Sequence, residues 1–265
     1  MADEVLLELK GINKSFGAVR ALVDVGFRVH SGEIVGLVGD NGAGKSTLVK
    51  IISGVEHPDS GKISFQGREV SIRNPDDAME LGIETLYQNL ALINNLDVIA
   101  NMFLGRELVT VWPLGMIRVL RSREMERQTG EILGRLQINI GSVREKVQVL
   151  SGGQRQAIAL GRAVGWGKKL VLLDEPTAAL GVREGRQALE LIGRLKEQGV
   201  SAVIISHNLE HVFSVADRVV VLRHGEIQGE RRIRDVKSDE IVSMITGTAE
   251  IKKLEFGAAD ASSGA

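Results

Sequence analysis

Apolar residues along this chain fall into three patterns. Ile34-Val-Gly-Leu-Val38 is a short apolar run, the mark of a strand buried on both faces, and Leu170-Val-Leu-Leu173 and Val200 to Ile205 also read as strands. Shorter apolar segments beside turn residues, Val5 to Leu9, Lys62 to Gln66 after Pro58-Asp-Ser-Gly61, and Glu84 to Tyr87, predict further strands. Val219 to Leu222 and Glu226 to Gln228, joined by His224-Gly225, predict a hairpin. Helical spacing covers Lys45 to Ser53, Gly152 to Val164 and Arg183 to Glu197. From Leu96 to Ile138 the chain reads as mostly helical, with Met125, Ile132, Leu133 and Leu136 near one face. Arg123, Glu124, Arg127, Glu131 and Arg135 fall mostly on the other faces. The prediction is an α/β protein with a β-rich opening, an α/β centre and an inserted helical subdomain, without internal repeats. The tail from Gly257 onward is Ala, Ser and Gly with one Asp, and is expected to be disordered.

Length and composition narrow the class. The 265 residues suffice for one large domain, or a core with a subdomain, and leave no room for a second unit of that size. A hydrophobic content of 43% with 25% charged residues is that of an ordinary globular protein. A net charge of −1 provides no general attraction to nucleic acid or an anionic membrane surface. There is no cysteine, so neither disulfides nor thiolate metal sites are available. Met1-Ala-Asp-Glu lacks the layout of a secretory signal, and no apolar run is long enough to span a bilayer; a cytoplasmic protein is expected.

The chemistry begins after Val38. Gly39-Asp40-Asn41-Gly42-Ala43-Gly44-Lys45-Ser46-Thr47 has the spacing of a phosphate loop, between a predicted strand and a predicted helix. Its glycines let backbone N–H groups and the helix dipole point at a phosphate chain. Lys45 would reach the β- and γ-phosphates, and the Ser46 hydroxyl would take a Mg²⁺ position. The predicted strand Leu170 to Leu173 ends in Asp174-Glu175-Pro176. A carboxylate at the carboxyl end of a strand beside such a loop is placed to hold Mg²⁺, which assigns Asp174 to the metal. Glu175 points elsewhere and is assigned as general base for a water behind the γ-phosphate. Ser151-Gly152-Gly153-Gln154, ahead of a predicted helix, forms a second anion site or, more plainly, a helix cap.

With these motifs in this order, the chain resembles the nucleotide-binding subunit of an ATP-binding cassette (ABC) transporter over about Val5 to Leu222. The fold this implies is a P-loop NTPase (RecA-like) core with a mixed sheet, an N-terminal antiparallel β subdomain and an inserted α-helical subdomain. Its bounds would be residues 1–250, with the helical signature subdomain at about 96–165 and a disordered tail at 251–265. By the same resemblance, Phe16 is the aromatic on which adenine stacks. Gln88 is the Q-loop residue that touches Mg²⁺ and the attacking water and meets the membrane partner. Leu150 to Gln154 is the signature, and His207 is the switch histidine at the γ-phosphate.

The family also implies a partner. Two such domains pair head to tail, so that Ser151, Gly152 and Gly153 act on ATP held by the other copy; a single set of motifs then implies a homodimer. The stretches Gly36 to Thr47, Gly82 to Gln88, Asn101 to Glu107 and Glu175 to Val182 are similar to the ATPases of ribose-, xylose- and fructose-type monosaccharide importers, here in single-domain form. The implied setting is the cytoplasmic face of the cell membrane, with a separate permease, a periplasmic sugar-binding protein, and docking through Asn89 to Gly105 and Trp112-Pro-Leu114. Gly181 stands where most of the family has an Asp. Two rivals remain: an ABC clamp that does not transport, and a P-loop kinase or nucleotide-binding regulator, which has no need of Ser151-Gly-Gly or Ser206-His207.

Overall fold

The computed structural model describes residues 4–87, 90–111, 118–165, 168–178 and 180–248. The chain opens with β1 (Val5–Phe16), β2 (Val19–His30), β3 (Ile34–Val38), α1 (Lys45–Ile52), β4 (Ser60–Phe65), β5 (Arg68–Val70), α2 (Pro75–Leu81) and β6 (Ile83–Leu86). The middle holds α3 (Val98–Met102), β7 (Val109–Val111), β8 (Arg118–Leu120), α4 (Ser122–Arg135) and α5 (Gly152–Val164). It continues through β9 (Leu170–Asp174), α6 (Val182–Glu197), β10 (Ser201–Ile205), α7 (Leu209–Val215), β11 (Arg218–Arg223), β12 (Glu226–Arg232) and α8 (Ser238–Thr246).

Two sheets organise these elements. An antiparallel sheet has the order β2-β1-β4-β5, and a mixed sheet has the order β12-β11-β3-β10-β9-β6. In the mixed sheet every neighbouring pair is parallel except the β11–β12 hairpin. The central strands β3 and β10 are buried along their whole length, which is why apart from Ser201 they read as apolar runs rather than alternating ones.

Alternation along each strand still decides what lies on each face. Val35, Leu37, Leu172, Val203 and Leu222 pack with Leu48, Ile51 and Ile52 of α1 and with Leu7, Val25 and Phe27 of the antiparallel sheet. Ile34, Val171, Leu173, Ala202 and Ile204 share the opposite core with residues of α3, α4, α5 and α6. A third cluster joins Val38, Val219 and Val221 to Val212 of α7 and Ile241 and Met244 of α8. Burying one such side chain is worth about 1.5–3 kcal/mol. Both faces are therefore covered, and the sheet's carboxyl edge is left for chemistry.

Some elements differ from expectation. The strand beginning at Val5 runs on to Phe16, because all of it pairs with β2 and part of it with β4. The stretch from Leu96 to Ile138 is less helical than predicted: between α3 and α4, Val109–Val111 pairs antiparallel with Arg118–Leu120. On α4, Met125, Ile132 and Leu133 are buried as expected, as is Leu136 just beyond it, and Arg127 lies between Glu124 and Glu131 on the exposed side. Gln88, Asn89, Trp112 to Leu114 and the tail at 251–265 lie outside the described residues.

Candidate functional site

The carboxyl ends of three adjacent parallel strands define the site. Ile205 of β10 is in register with Leu37 of β3 on one side and Asp174 of β9 on the other. The segments that follow these strands therefore leave the sheet at one level, where ligands bind in open α/β sheets. They are the phosphate loop, Ser206-His207 and Asp174-Glu175.

In the phosphate loop, two glycines are required by space as well as by conformation. Gly39 has φ +153°, and a Cβ there would lie 2.0 Å from the Leu222 carbonyl oxygen. Gly44 has φ +108°, and a Cβ there would lie 2.5 Å from the Ala21 carbonyl oxygen. Ala43 N–H donates to the Asp40 carbonyl at 3.1 Å, and Gly225 N–H of the β11–β12 turn donates to the Ala43 carbonyl at 3.0 Å. The predicted hairpin turn at His224-Gly225 thus also braces the loop. Gly44 caps α1 without a side-chain bond, so the first-turn N–H groups keep their capacity for an anion. Lys45 Nζ folds back to the carbonyls of Gly39 at 2.7 Å and Asp40 at 2.9 Å. Burial holds its pKa below the ordinary lysine value, against the opposing pull of Glu175, Asp40 and Asp174.

Beyond β9, Glu175 takes up φ +50°, a left-handed conformation whose cost is of order 1–3 kcal/mol for a residue other than glycine. Fixed bonds hold it there. Its N–H donates to the Ile205 carbonyl at 2.9 Å, and its Oε1 accepts from the His207 backbone N–H and meets His207 Nδ1, each at 2.9 Å. Oε2 is buried with no hydrogen-bond partner. An orphaned buried carboxylate oxygen is costly unless a ligand or water completes it. Asp174 has its pKa raised by burial and by the Glu175 charge, while Lys45 and Lys50 pull it down.

These features suit a divalent cation. Mg²⁺ takes one or two carboxylates together with phosphate oxygens and water, rather than a dedicated protein cage. Among the described residues no group of three or more His, Cys, Asp or Glu gathers to hold an ion. An ion held by Asp174 and by Ser46, in the first turn of α1, would therefore complete its shell with phosphate and water.

Phe16 lies at the end of β1, 45% exposed, with Lys14 Nζ 5.3 Å from its ring centroid. Lys14 and Phe16 are two apart on one strand and share a face, a signal present in the sequence but not singled out there. Ser151 caps α5 in a reciprocal box: its Oγ accepts from Gln154 N–H at 3.2 Å, and Gln154 Oε1 accepts from Ser151 N–H at 3.0 Å. The Ser151 hydroxyl proton is left for another acceptor. Among the described residues, no hydrogen bond or ion pair joins Ser151–Gln154 to the phosphate loop. The structure brings Lys45, Asp174, Glu175 and His207 together at one edge and sets the second anion motif on a different helix. Gln88 lies outside the described residues.

A family model described as ABC transporter matches residues 22–178. The chain belongs to the ABC transporter family. It is 46% identical over 252 residues to the xylose/arabinose import ATP-binding protein of Sulfolobus acidocaldarius, covering 95% of this chain and 98% of that protein. It is 44% identical over 252 residues to the fructose import ATP-binding protein of Rhizobium meliloti, covering 94% and 97%. Against the ribose import ATP-binding protein of Geobacillus kaustophilus it is 42% identical over 242 residues, covering 91% of this chain but 48% of that longer protein. Among solved structures, the ADP conformation of an ATP-binding cassette of an ABC transporter superposes with a TM-score of 0.79 at 27% identity, over 92% of this chain and 99% of the other. The paired mixed and antiparallel sheets are thus the ABC ATPase fold. A dimeric post-hydrolysis state of a cassette bound to ADP and phosphate matches with a TM-score of 0.71 at 25% identity, over 87% and 100%.

Proposed function

We propose that this chain is the ATP-hydrolysing subunit of an ABC importer that drives a monosaccharide across the cytoplasmic membrane through a separate permease. The observation that carries the catalytic part is Glu175: a carboxylate pinned at a parallel strand end, with one oxygen tied to His207 and the other buried without a partner. The sugar is supported by relatives that match nearly end to end and are named for xylose or arabinose and for fructose import.

Each residue then has a task. The loop N–H groups and Lys45 bind the β- and γ-phosphates, Lys45 exchanging its bonds to Gly39 and Asp40 for phosphate oxygens. Asn41, Gly42, Ala43 and Thr47 complete the cradle, and Phe16 offers a face to the adenine. Asp174 and Ser46, with Gln88, hold Mg²⁺, which when bound neutralises phosphate charge. Glu175 takes the proton of the water that attacks the γ-phosphorus as the bond to the β-phosphate oxygen breaks. His207, tethered to Glu175, senses the γ-phosphate.

Ser151, Gly152, Gly153 and Gln154 serve the ATP of a second copy. The exposure of Ser151 and its separation from its own phosphate loop support that division, as does the dimeric cassette among the structural relatives. ATP then joins the two copies, and its hydrolysis lets them part. The functional unit on this reading spans residues 1–250, with the signature carried by a helical part at 96–165. Among the described residues no helix is long and apolar enough to cross a membrane. The chain would sit on the cytoplasmic face through its permease and receive sugar from a periplasmic binding protein.

The test is reconstitution with a sugar-importer permease and binding protein from the same organism. ATP hydrolysis in vesicles is expected to rise when one member of a panel of pentoses and hexoses is loaded on the binding protein. Stimulation by no monosaccharide would remove the sugar assignment.

A further inference from the structure

His211 lies in α7, four residues after His207, and no motif singles it out. Its ring spans two elements. Nδ1 meets Thr177 Oγ1 at 2.9 Å, and Nε2 meets Asn208 Nδ2 at 3.3 Å. Asn208 is the N-cap of α7, its Oδ1 accepting from His211 N–H at 3.4 Å, so its amide nitrogen is what faces the ring. An amide NH₂ only donates, so Nε2 accepts, the proton sits on Nδ1, and His211 donates to Thr177. Thr177 is buried, 6% exposed.

Thr177 occupies the segment between the site and the signature. Ala178 N–H donates to the Glu175 carbonyl and Leu180 N–H to the Thr177 carbonyl, each at 3.2 Å, so two turns overlap there. A Cβ on Gly152 would lie 3.5 Å from Leu180 Cδ2, and one on Gly153 would lie 3.0 Å from Glu184 Cγ. Hydrogen bonds therefore link Asn208, beside His207, through His211 and Thr177 to Leu180, whose side chain lies next to Gly152 of the signature. Gly181, next after this segment, offers no carboxylate to such a link.

We propose that His211 and Thr177 are a positioning pair that fixes the Glu175–Leu180 segment against the start of α7 and so couples a chain's own hydrolytic site to the signature it lends its partner. The proposal rests on the reading of the site given above. On this reading neither residue serves the nucleotide directly; each acts by holding Glu175 and the signature in one arrangement.

The test compares Thr177→Val and His211→Ala with the conservative Thr177→Ser and His211→Asn, using the purified full chain. With one hydrogen bond lost, kcat is expected to fall roughly five- to tenfold in the first two while KM for ATP stays within about twofold. The conservative variants should recover most of the rate, since Ser keeps the hydroxyl and Asn places an N–H near the Nδ1 position. The double variant should be no slower than either single one. Nitrogen-15 spectra of the chain's 5 histidines should show His211 protonated at Nδ1, with a shifted signal in Thr177→Val. Unchanged kcat, KM rising in step with the loss of rate, failure of the conservative variants to rescue, or a proton on Nε2 would overturn the proposal. The tautomer decides the pairing without reference to hydrolysis, whereas absence of ATPase activity in the unaltered chain would bring down the reading of the site instead.

Discussion

Replacing Glu175 by Gln is expected to slow ATP turnover by roughly 10²–10⁴-fold, the usual worth of a positioned general base, while leaving ATP binding intact. Gln is nearly isosteric and keeps an oxygen that can accept the His207 N–H, so the strand-end geometry should survive. What it loses is the basic oxygen that lies buried without a partner. It also removes a charge that, after burial, pushes the Asp174 pKa upward, so Asp174 keeps its negative charge for a cation. The variant should therefore bind Mg²⁺ and ATP, fail to hydrolyse, and persist as a dimer detectable by light scattering. Hydrolysis at the unaltered rate would take the base assignment away from Glu175.

The second large effect is expected at Lys45. Lys45→Ala removes a charged donor to the β- and γ-phosphates, an interaction worth about 1.5–3 kcal/mol, or roughly ten- to a hundredfold in affinity. Fluorescent-nucleotide titration should show that loss. The fold should be little affected: the carbonyls of Gly39 and Asp40 that Lys45 now occupies belong to a loop open to water. A thermal melt close to that of the unaltered chain, beside weakened ATP binding, separates the phosphate contact from a structural one. Unweakened ATP binding would show that the loop amides suffice without the ammonium.

Much of this site is legible in the residues because its parts are local. A strand, a glycine loop and a helix lie within Ile34 to Ile52, and Ser151-Gly-Gly-Gln154, the proposed signature, is a capping box. The hairpin at His224-Gly225 follows from two adjacent residues that accept positive φ. Other elements are encoded just as locally: Leu22, Val25, Phe27 and Val29 of β2 are buried, and α2 has an Asn74 cap, Pro75 in its first turn and Gly82 at its end. These signals carry no chemistry, so reading led by motifs passes over them. The β7–β8 ribbon is different, since three-residue strands are too short to show a period. Least legible are the long-range features. Glu175 is left-handed because Ile205 of another strand anchors it, and Thr177 meets His211 across 34 positions of sequence. Sequence spacing has no term for such contacts; the fold supplies them.

The central claim is that each ATP lies between one chain's phosphate loop and the other chain's signature, and mixing two inactive variants tests it most directly. Ser151→Arg homodimers should bind ATP without hydrolysing it, and Lys45→Ala homodimers should bind it poorly. In a mixed head-to-tail dimer both changes fall on one site, and the other pairs an intact phosphate loop with an intact signature. Hydrolysis in the mixture above the sum of the two separate preparations is the predicted result. A mixture no more active than its components would mean that each chain works on its own nucleotide, contradicting the account.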